Sequence, residues 1–131
     1  MIIGSQDLGG GVTRIDLGGR LDIAGAEAVD VPFAGIISTV RGGAVVDLSA
    51  VSFIASIGIR TLVTNAKALR LRGASLVLLS PSDAVESGLR AAGIHEVIPI
   101  FHDSAAAISA VAGSARGPAP DNTEPPRSSE V

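Results

Sequence analysis

The chain has 131 residues, of which 47% are hydrophobic, 18% charged and 2% aromatic, and its formal net charge is −3. This length suits one domain with a single core. Nucleic-acid partners are held by base stacking and by phosphate contacts, so the scarcity of aromatic side chains and of excess positive charge argues against such a partner. The chain contains no cysteine, which excludes disulfides, thiolate chemistry and cysteine-ligated metals.

The amino-terminal sequence and the apolar runs give an expectation for the location of the protein. Residues 1–10 lack the basic region and the long apolar stretch of a secretory signal. No apolar run approaches the roughly 20 residues that a membrane-spanning helix needs. We therefore expect a cytoplasmic protein with no membrane insertion.

Two strand-like runs, residues 1–8 and 12–19, come first in the chain. The second alternates imperfectly between apolar and polar side chains, which is typical of a strand with one buried face. A glycine triplet at 9–11 separates the two runs and indicates a tight connection. The pattern predicts an antiparallel hairpin.

A helix is predicted from Asp22, which can cap its first turn, to about Val40. Pro32 and Gly35 lie inside this segment. Because proline lacks the amide hydrogen that a helix interior needs, we expect a kink here or two separate helical pieces.

The next strand is predicted over Ala44–Ser49, where a continuous apolar run is typical of a strand buried on both faces of a parallel sheet. Asp47 is expected to turn the chain at the end of this strand, and an apolar loop follows. The clearest helix is predicted over Ser56–Arg72, because apolar residues recur there at helical spacing. Gly73 supplies its carboxyl-terminal stop.

The rest of the chain continues the alternation of strand and helix. A buried strand at 75–80 precedes a helix for which Ser80 is the expected cap. Residues 96–101 are predicted to form a fifth strand near an edge, because Pro99 cannot donate a hydrogen bond to a neighbouring strand. A short helix is predicted over 104–112.

These elements predict an α/β fold with a mostly parallel central sheet of about five strands, an antiparallel edge hairpin and about four flanking helices. Residues 1–113 are expected to form this domain. Residues 114–131 contain four of the seven prolines and few apolar side chains. They are expected to form a flexible tail rich in proline and serine, because they cannot bury enough apolar surface to become ordered.

Ser56 lies where the predicted central strand passes into the clearest helix, and three roles are open for its hydroxyl. The local sequence favours a helix cap that accepts a backbone amide hydrogen. A nucleophile is the second role, although Ile54 stands where the hydrolase elbow has glycine, and only His95 and His102 could serve as the base. A phosphate acceptor is the third, because the positive end of a helix stabilises an anion.

Two segments of the chain resemble the STAS domain of bacterial anti-sigma factor antagonists. These segments are "LGGRLDIAGAEAV" and "VVDLSAVSFIASIGIRTLV", and the later order of strand, helix, Gly-Ile and strand is also similar, so the resemblance covers about residues 8–112. The matching positions are Gly19, Leu21, Asp22, Asp47, Leu48, Ser49, Val51, Phe53, Ile54, Ser56 and Gly58.

The resemblance implies a binding module that is not an enzyme and needs no catalytic residue, cofactor or metal. In this family the unphosphorylated antagonist binds an anti-sigma factor, often a serine kinase of the histidine-kinase-like ATPase type, and so releases a sigma factor. Phosphorylation of the serine that corresponds to Ser56 breaks the complex, and a PP2C-type phosphatase resets it. The same resemblance implies partner contacts at Asp22, Gly58 and Arg60, with Asp22 also expected to cap its helix. Ile57 is expected either to pack into the core or to contact a partner.

The sequence departs from the family motif on both sides of Ser56. Ala55 stands in place of an aspartate, and Ile57 stands in place of a small polar residue. Loss of the carboxylate changes what a kinase would recognise and reduces repulsion of an incoming phosphate. Two other functions therefore stay open: a STAS adaptor subunit of a transporter or signalling complex that is not phosphorylated, and a small serine hydrolase that uses Ser56.

Overall fold

A single mixed sheet organises the chain. Its five strands are β1 (Ile2–Gly9), β2 (Val12–Leu21), β3 (Gly43–Ile54), β4 (Ser75–Leu79) and β5 (Ile100–Phe101). They lie side by side in the order β1-β2-β3-β4-β5. β1 pairs antiparallel with β2, and the remaining neighbours pair parallel. The predicted opening hairpin is therefore confirmed as the antiparallel edge of a mostly parallel sheet.

Four α-helices cover this sheet: α1 (Ile23–Thr39), α2 (Ser56–Arg70), α3 (Asp83–Ala91) and α4 (Ser104–Ala115). The first three pack together on one face, and α4 packs on the other face. This arrangement confirms the predicted α/β fold class. A helix on each side of parallel strands also explains why β3 and β4 are apolar on both faces.

The computed structural model describes residues 1–115. The predicted tail at 114–131 lies outside this range except for its first two residues. Its flexibility and the domain boundary at 113 therefore stay predictions.

The core is built mainly from aliphatic side chains, as the composition predicts, and it also contains the ring of Phe33. Between the sheet and helices α1 to α3, the largest fully buried side chains include Phe33, Leu48, Leu62 and Leu89. Each side chain of this size stabilises the fold by about 1.5–3 kcal/mol relative to full exposure. A smaller cluster, including Val45 and Val111, fills the space under α4.

β3 is longer than predicted, since it runs for 12 residues and has no loop after Ser49. Its second half pairs parallel with β2 as far as Leu21 and Ile54. Two register shifts along this ladder allow β3 to carry extra residues. Such bulges break the regular alternation of side chains, so a hydropathy pattern does not distinguish this stretch from a loop.

Asp47 lies within β3 and does not turn the chain, which corrects the predicted strand end. Its Oδ1 accepts a hydrogen bond from the Ser49 amide (2.8 Å), next to the first register shift. Its Oδ2 accepts from Arg14 Nη2 (2.8 Å), while Arg14 Nε donates to Asp16 (2.8 Å). The hydrogen bond to Asp16 and the two nearby carboxylates raise the pKa of the Arg14 guanidinium. Asp47 therefore holds together the bulge of β3 and the neighbouring strand β2.

α1 is one continuous helix, so the expected division into two pieces at Pro32 is wrong. The buried side chains of Val29, Phe33 and Ile37 lie on one side of the helix and hold both halves against the sheet. The end of α1 is closed by Arg72, which donates to the carbonyl oxygens of Ile37 (3.0 Å) and Val40. Tertiary packing therefore outweighs the one hydrogen bond that proline removes.

α3 begins later than predicted, because Ser82 caps it in place of Ser80 and accepts a hydrogen bond from the Val85 amide (3.3 Å). The Ser80 amide donates to Phe101 O (2.7 Å), and its backbone is left-handed (φ 54°), whereas a capping residue has an extended backbone, so Ser80 does not start the helix. β5 has two residues instead of six, since a 3-10 turn occupies Ile94–Glu96. Its predicted position at an edge is confirmed.

Replacement of Asp47 tests its role in joining β2 to β3. We expect Asp47→Ala to lower the free energy of unfolding by roughly 2–3 kcal/mol, because it leaves a partly buried arginine and a bulge amide without their acceptor. Asp16→Ala is the matched control: its carboxylate is about half exposed, so the expected loss is under about 1 kcal/mol. Urea unfolding of both variants measures the difference. Equal losses would contradict this role for Asp47.

Candidate functional site

The site lies where β3 ends and α2 begins. Ala55, with extended backbone, is the residue before the first turn of α2, and Ser56 is the first helical residue. The Ala55 amide donates to Leu21 O (3.0 Å), and the Ala55 carbonyl accepts from the Ile59 amide (3.0 Å). Ser56 therefore does not cap the helix, which corrects the role that the local sequence favoured. Its side chain is exposed at the carboxyl edge of the central strand.

The electrostatics of this helix end suit a negative charge. Within residues 1–115, no side chain hydrogen-bonds to the cap position of α2, and its first turn contains no acidic residue. The first amides of the helix therefore keep their hydrogen-bonding capacity, and the helix dipole adds a partial positive charge at the same end. An anion attached to Ser56 Oγ would lie at this end of the helix.

Gly58 sets how closely α2 approaches β2. A Cβ at this position would lie 2.6 Å from Leu21 Cγ and 2.7 Å from Leu21 O, so no larger residue fits without movement. Gly58 is buried, and its close packing against Leu21 explains why a glycine occupies this position. Its predicted role in partner contact stays a prediction, since a buried glycine would act there only by placing its neighbours.

Asp22 caps α1, as predicted. Its Oδ1 accepts a hydrogen bond from the Gly25 amide (2.9 Å), which lowers the pKa of the carboxyl group, and Arg20 adds to the effect from 3.4 Å. A Cβ at Gly25 would lie 2.0 Å from Arg20 O, so the first turn of α1 also needs a glycine. The Arg20 guanidinium lies 4.4 Å from the centre of the Phe53 ring on β3. Asp22 therefore lies at the same edge of the sheet as Ser56.

A shallow groove of about 290 Å³ runs between α1 and α2 beside Ser56. Ile57 is half-buried on one side of it, and Val31, whose exposed fraction is 78%, lies on the other. Glu27 and Asp30 supply the acidic part of its lining. Arg60 is exposed one turn after Ser56 but does not line this groove. We call the lining residues the α1–α2 groove: Ala26, Glu27, Asp30, Val31, Ile57 and Thr61.

Of the two histidines, His102 pairs with a glutamate, whereas His95 Nδ1 is buried without a hydrogen-bond partner among residues 1–115. His102 Nε2 lies 2.6 Å from Glu86 Oε1, and Glu86 also accepts from Arg90, contacts that lower the pKa of the Glu86 carboxyl group. His95 Nε2 lies 4.0 Å from Glu96. Among the hydrogen bonds of residues 1–115, none joins either histidine to Ser56, so these contacts give no support to a nucleophilic serine.

Residues 9–107 match the family model of the STAS domain. The chain belongs to the STAS domain family. Its fold is similar to that of an anti-sigma factor antagonist from Mycobacterium paratuberculosis (TM-score 0.76, 22% identity, covering 84% of this chain and 92% of that one). It is also similar to the unphosphorylated anti-sigma factor antagonist SpoIIAA of Bacillus (TM-score 0.71, 19% identity, covering 86% of this chain and 97% of that one).

The same fold occurs in a different setting. A sulfate transporter family protein from Wolinella succinogenes is similar over 79% of this chain and 87% of its own (TM-score 0.66, 18% identity). At these identities the likeness concerns the fold. No curated protein matches the sequence significantly. No helix within residues 1–115 of this STAS domain is long and apolar enough to cross a membrane.

Sequence reasoning missed two features of this edge. The first is the contact between Arg20 and Phe53, which lie on different strands and come together through the ladder of β2 and β3. The second is the acidic side of the α1–α2 groove at Glu27 and Asp30. A signal for the first was present, since Phe53 is one of only three aromatic residues in the chain. The acidic side of the groove had no signal in the sequence, because it depends on how α1 and α2 are placed relative to each other.

Substitution of glycine by alanine tests the contact between α2 and β2. We expect Gly58→Ala to destabilise the STAS domain by roughly 1–3 kcal/mol, because the added methyl group overpacks against Leu21. Gly35→Ala is the matched control, since nothing lies within 4 Å of a Cβ at that helical position. We expect it to stabilise the domain by up to about 1 kcal/mol, through helix propensity alone. Thermal and urea unfolding measure both. A neutral Gly58→Ala would show that Leu21 can move away.

Titration tests the Asp22 cap. Because the folded state lowers the pKa of Asp22, its carboxylate stabilises the fold at neutral pH, and this contribution is lost as the pH falls through the folded-state pKa. Asn caps a helix about as well as Asp but does not titrate. We therefore expect Asp22→Asn to keep the wild-type free energy of unfolding at neutral pH and to lose less of it in acid than the wild type does. Asp22→Ala is expected to be less stable than the wild type at neutral pH. Urea unfolding as a function of pH checks this order. Parallel pH profiles for wild type and Asp22→Asn would contradict it.

Proposed function

We propose that the protein is an anti-sigma factor antagonist that acts in the cytoplasm by exchange of partners. In this proposal its unphosphorylated form binds an anti-sigma factor, and a sigma factor is released. The observation that carries the proposal is the exposed Ser56 hydroxyl at the uncapped positive end of α2, at the carboxyl edge of the central strand. Membership of the STAS family and the likeness in fold to two anti-sigma factor antagonists support it.

Phosphorylation of Ser56 is the proposed off-switch. The anti-sigma factor would itself be the serine kinase, of the histidine-kinase-like ATPase type, and a PP2C-type phosphatase would remove the phosphate. A phosphate adds a charge of about −1.5 to −2. It would lie next to Ile57, which lines the α1–α2 groove. A partner that covers this part of the surface would have to bury the new charge, at a large desolvation cost.

The phosphate would act on the surface without unfolding the domain. The amino-terminal end of α2 stabilises an attached anion, because its first amides and the helix dipole are both favourable. Because Ala55 precedes Ser56, the residue directly before the acceptor has no carboxylate to repel the phosphate. In this proposal the switch therefore works through the charge of the docking surface, and Asp22, Ile57 and Arg60 contribute to that surface.

Binding by Ser56 variants tests this mechanism. We expect Ser56→Ala to bind the anti-sigma factor as the unmodified protein does and to resist release by ATP, whereas Ser56→Asp binds at least about tenfold more weakly because it buries a charge. Ser109→Asp is the matched control, since Ser109 is exposed on α4, on the other side of the sheet. Calorimetric titration against the co-purified partner measures each affinity. Equal affinities for wild type, Ser56→Ala and Ser56→Asp would place the switch elsewhere.

Phosphopeptide mass spectrometry of the protein from its own cells is the complementary measurement. We expect phosphate within residues 51–60 to lie on Ser56, and its amount to change with growth condition. Ser52 is a built-in control, because it is an exposed serine in the same peptide. Phosphate on Ser52 alone would overturn the assignment of the acceptor.

A second candidate is an adaptor subunit of a transporter or signalling complex that binds without phosphorylation. Ala55 and Ile57 favour it, because both depart from the residues that flank the acceptor in the resembled motif. The similar fold of the Wolinella succinogenes protein shows that such domains occur in a sulfate transporter family. Co-purification of a transporter component, together with Ser56 unmodified under every growth condition, would favour this function. Labelling of Ser56 by a serine-hydrolase probe would revive the hydrolase alternative, and we expect none.

A further inference from the structure

Among residues 1–115, no strand pairs with the outer side of β1, which is a long open strand edge. β1 is the first strand in the sheet order and pairs with β2 along one side only. At the opposite end of the sheet, β5 has two residues and directly follows Pro99, so it offers little backbone for pairing. The eight residues of β1 therefore present amide and carbonyl groups that can pair with a further strand.

β1 lacks the side chains that commonly protect such an edge. It contains neither lysine nor proline, and its one charged residue, Asp7, accepts a hydrogen bond from the Gly9 amide at the end of the same strand (2.8 Å). Ile2 and Leu8 are large apolar residues with exposed fractions of 76% and 36%. Ile2 lies opposite Gly18 in the hairpin, which has no side chain to cover it. Two large apolar side chains are therefore exposed to solvent, one near each end of the edge strand.

We propose that β1 pairs antiparallel with β1 of a second copy of this chain, in the register that places Ser5 opposite Ser5. In this register residues 3–7 of the two copies pair regularly, because the register shift of β1 lies beyond them, between Asp7 and Gly9. Ile2 then lies near Leu8 of the second copy, just outside the regular pairing, and two-fold symmetry repeats the contact at the other end. Gly4 lies opposite Gln6, so the centre of the pairing is small and polar. Within residues 3–7, the residues directly opposite each other differ by an even number of positions. The outward-pointing backbone groups of one copy therefore meet those of the other and form roughly four to six hydrogen bonds.

The charges of β1 are compatible with this register and favour a second copy as the occupant. Asp7 lies opposite Ile3 and not opposite Asp7, so no like charges face each other. β1 has apolar residues near both ends and polar residues between them. This pattern is nearly the same in either direction along the strand, as a two-fold contact requires. Because the β5 edge is short, association ends at the dimer and does not extend into a filament.

The dimer is expected to be weak. One added strand pair covers less than the about 1,000 Å² that a stable protein interface needs. Its formation therefore depends on concentration and leaves the proposed function of Ser56 untouched, since neither the pairing nor its test involves that residue.

Sedimentation analysis over a range of concentrations tests the proposal. We expect the wild type to shift from monomer to dimer as the concentration rises. Ser5→Lys should remain monomeric throughout, because it places two positive charges opposite each other at the two-fold axis. Ser109→Lys, an exposed position on α4, should dimerise as the wild type does. Circular dichroism confirms that each variant is folded. A wild type that stays monomeric, or a dimer that survives Ser5→Lys, would overturn the proposal.

Crosslinking tests the register directly, since the chain has no natural cysteine. Side chains directly opposite in an antiparallel pair have Cβ atoms about 4.5–5.5 Å apart, close to the separation in a disulfide. We expect mild oxidation of Ser5→Cys to give a covalent dimer in high yield, and of Ser109→Cys to give little. Equal yields from the two variants would show that random collision, not strand pairing, brings the cysteines together, and would contradict the proposed register.

Discussion

The parallel ladder between β2 and β3, continued to the pair Leu21 and Ile54, is the constraint on which the functional edge depends. Leu21 O accepts the Ala55 amide, and Gly58 lets the first turn of α2 lie directly against Leu21. These are contacts of backbone with backbone or with a fixed side chain, which allow little freedom. The position of Ser56 is therefore set by the sheet and not by a flexible loop.

The same short segment also sets the start of α1. Arg20 O lies so close to Gly25 that only a glycine fits, while Asp22 caps the first turn. The amino-terminal ends of α1 and α2 are thus both anchored on residues 20–22. The α1–α2 groove and Ser56 consequently form one surface with a fixed geometry. A charge added to such a surface changes what can dock on it, whereas the fold beneath has no need to rearrange.

The positions at which sequence reasoning failed share a physical cause. Asp47 was expected at a strand end but lies within β3, because a bulge amide and Arg14 from the neighbouring strand satisfy its carboxylate. Pro32 was expected to kink α1 or to divide it into two pieces, but side chains on the buried face keep the helix continuous. Ser80 was expected to cap α3, yet its amide is bonded to β5 and its backbone is left-handed, a conformation that a capping residue does not adopt. In each case a partner distant in sequence outweighed a local preference.

The sequence by itself determined the class and order of the elements, the aliphatic core and the Asp22 cap, because periodicity and capping depend on residues within a few positions of one another. It also located Ser56 at the passage from strand to helix, through the resemblance to a family motif. Only the tertiary structure decided that Ser56 is exposed at an uncapped helix end and that Gly58 is buried against Leu21. Those facts depend on how α2 packs against β2, and packing between distant segments leaves no periodic trace in the sequence.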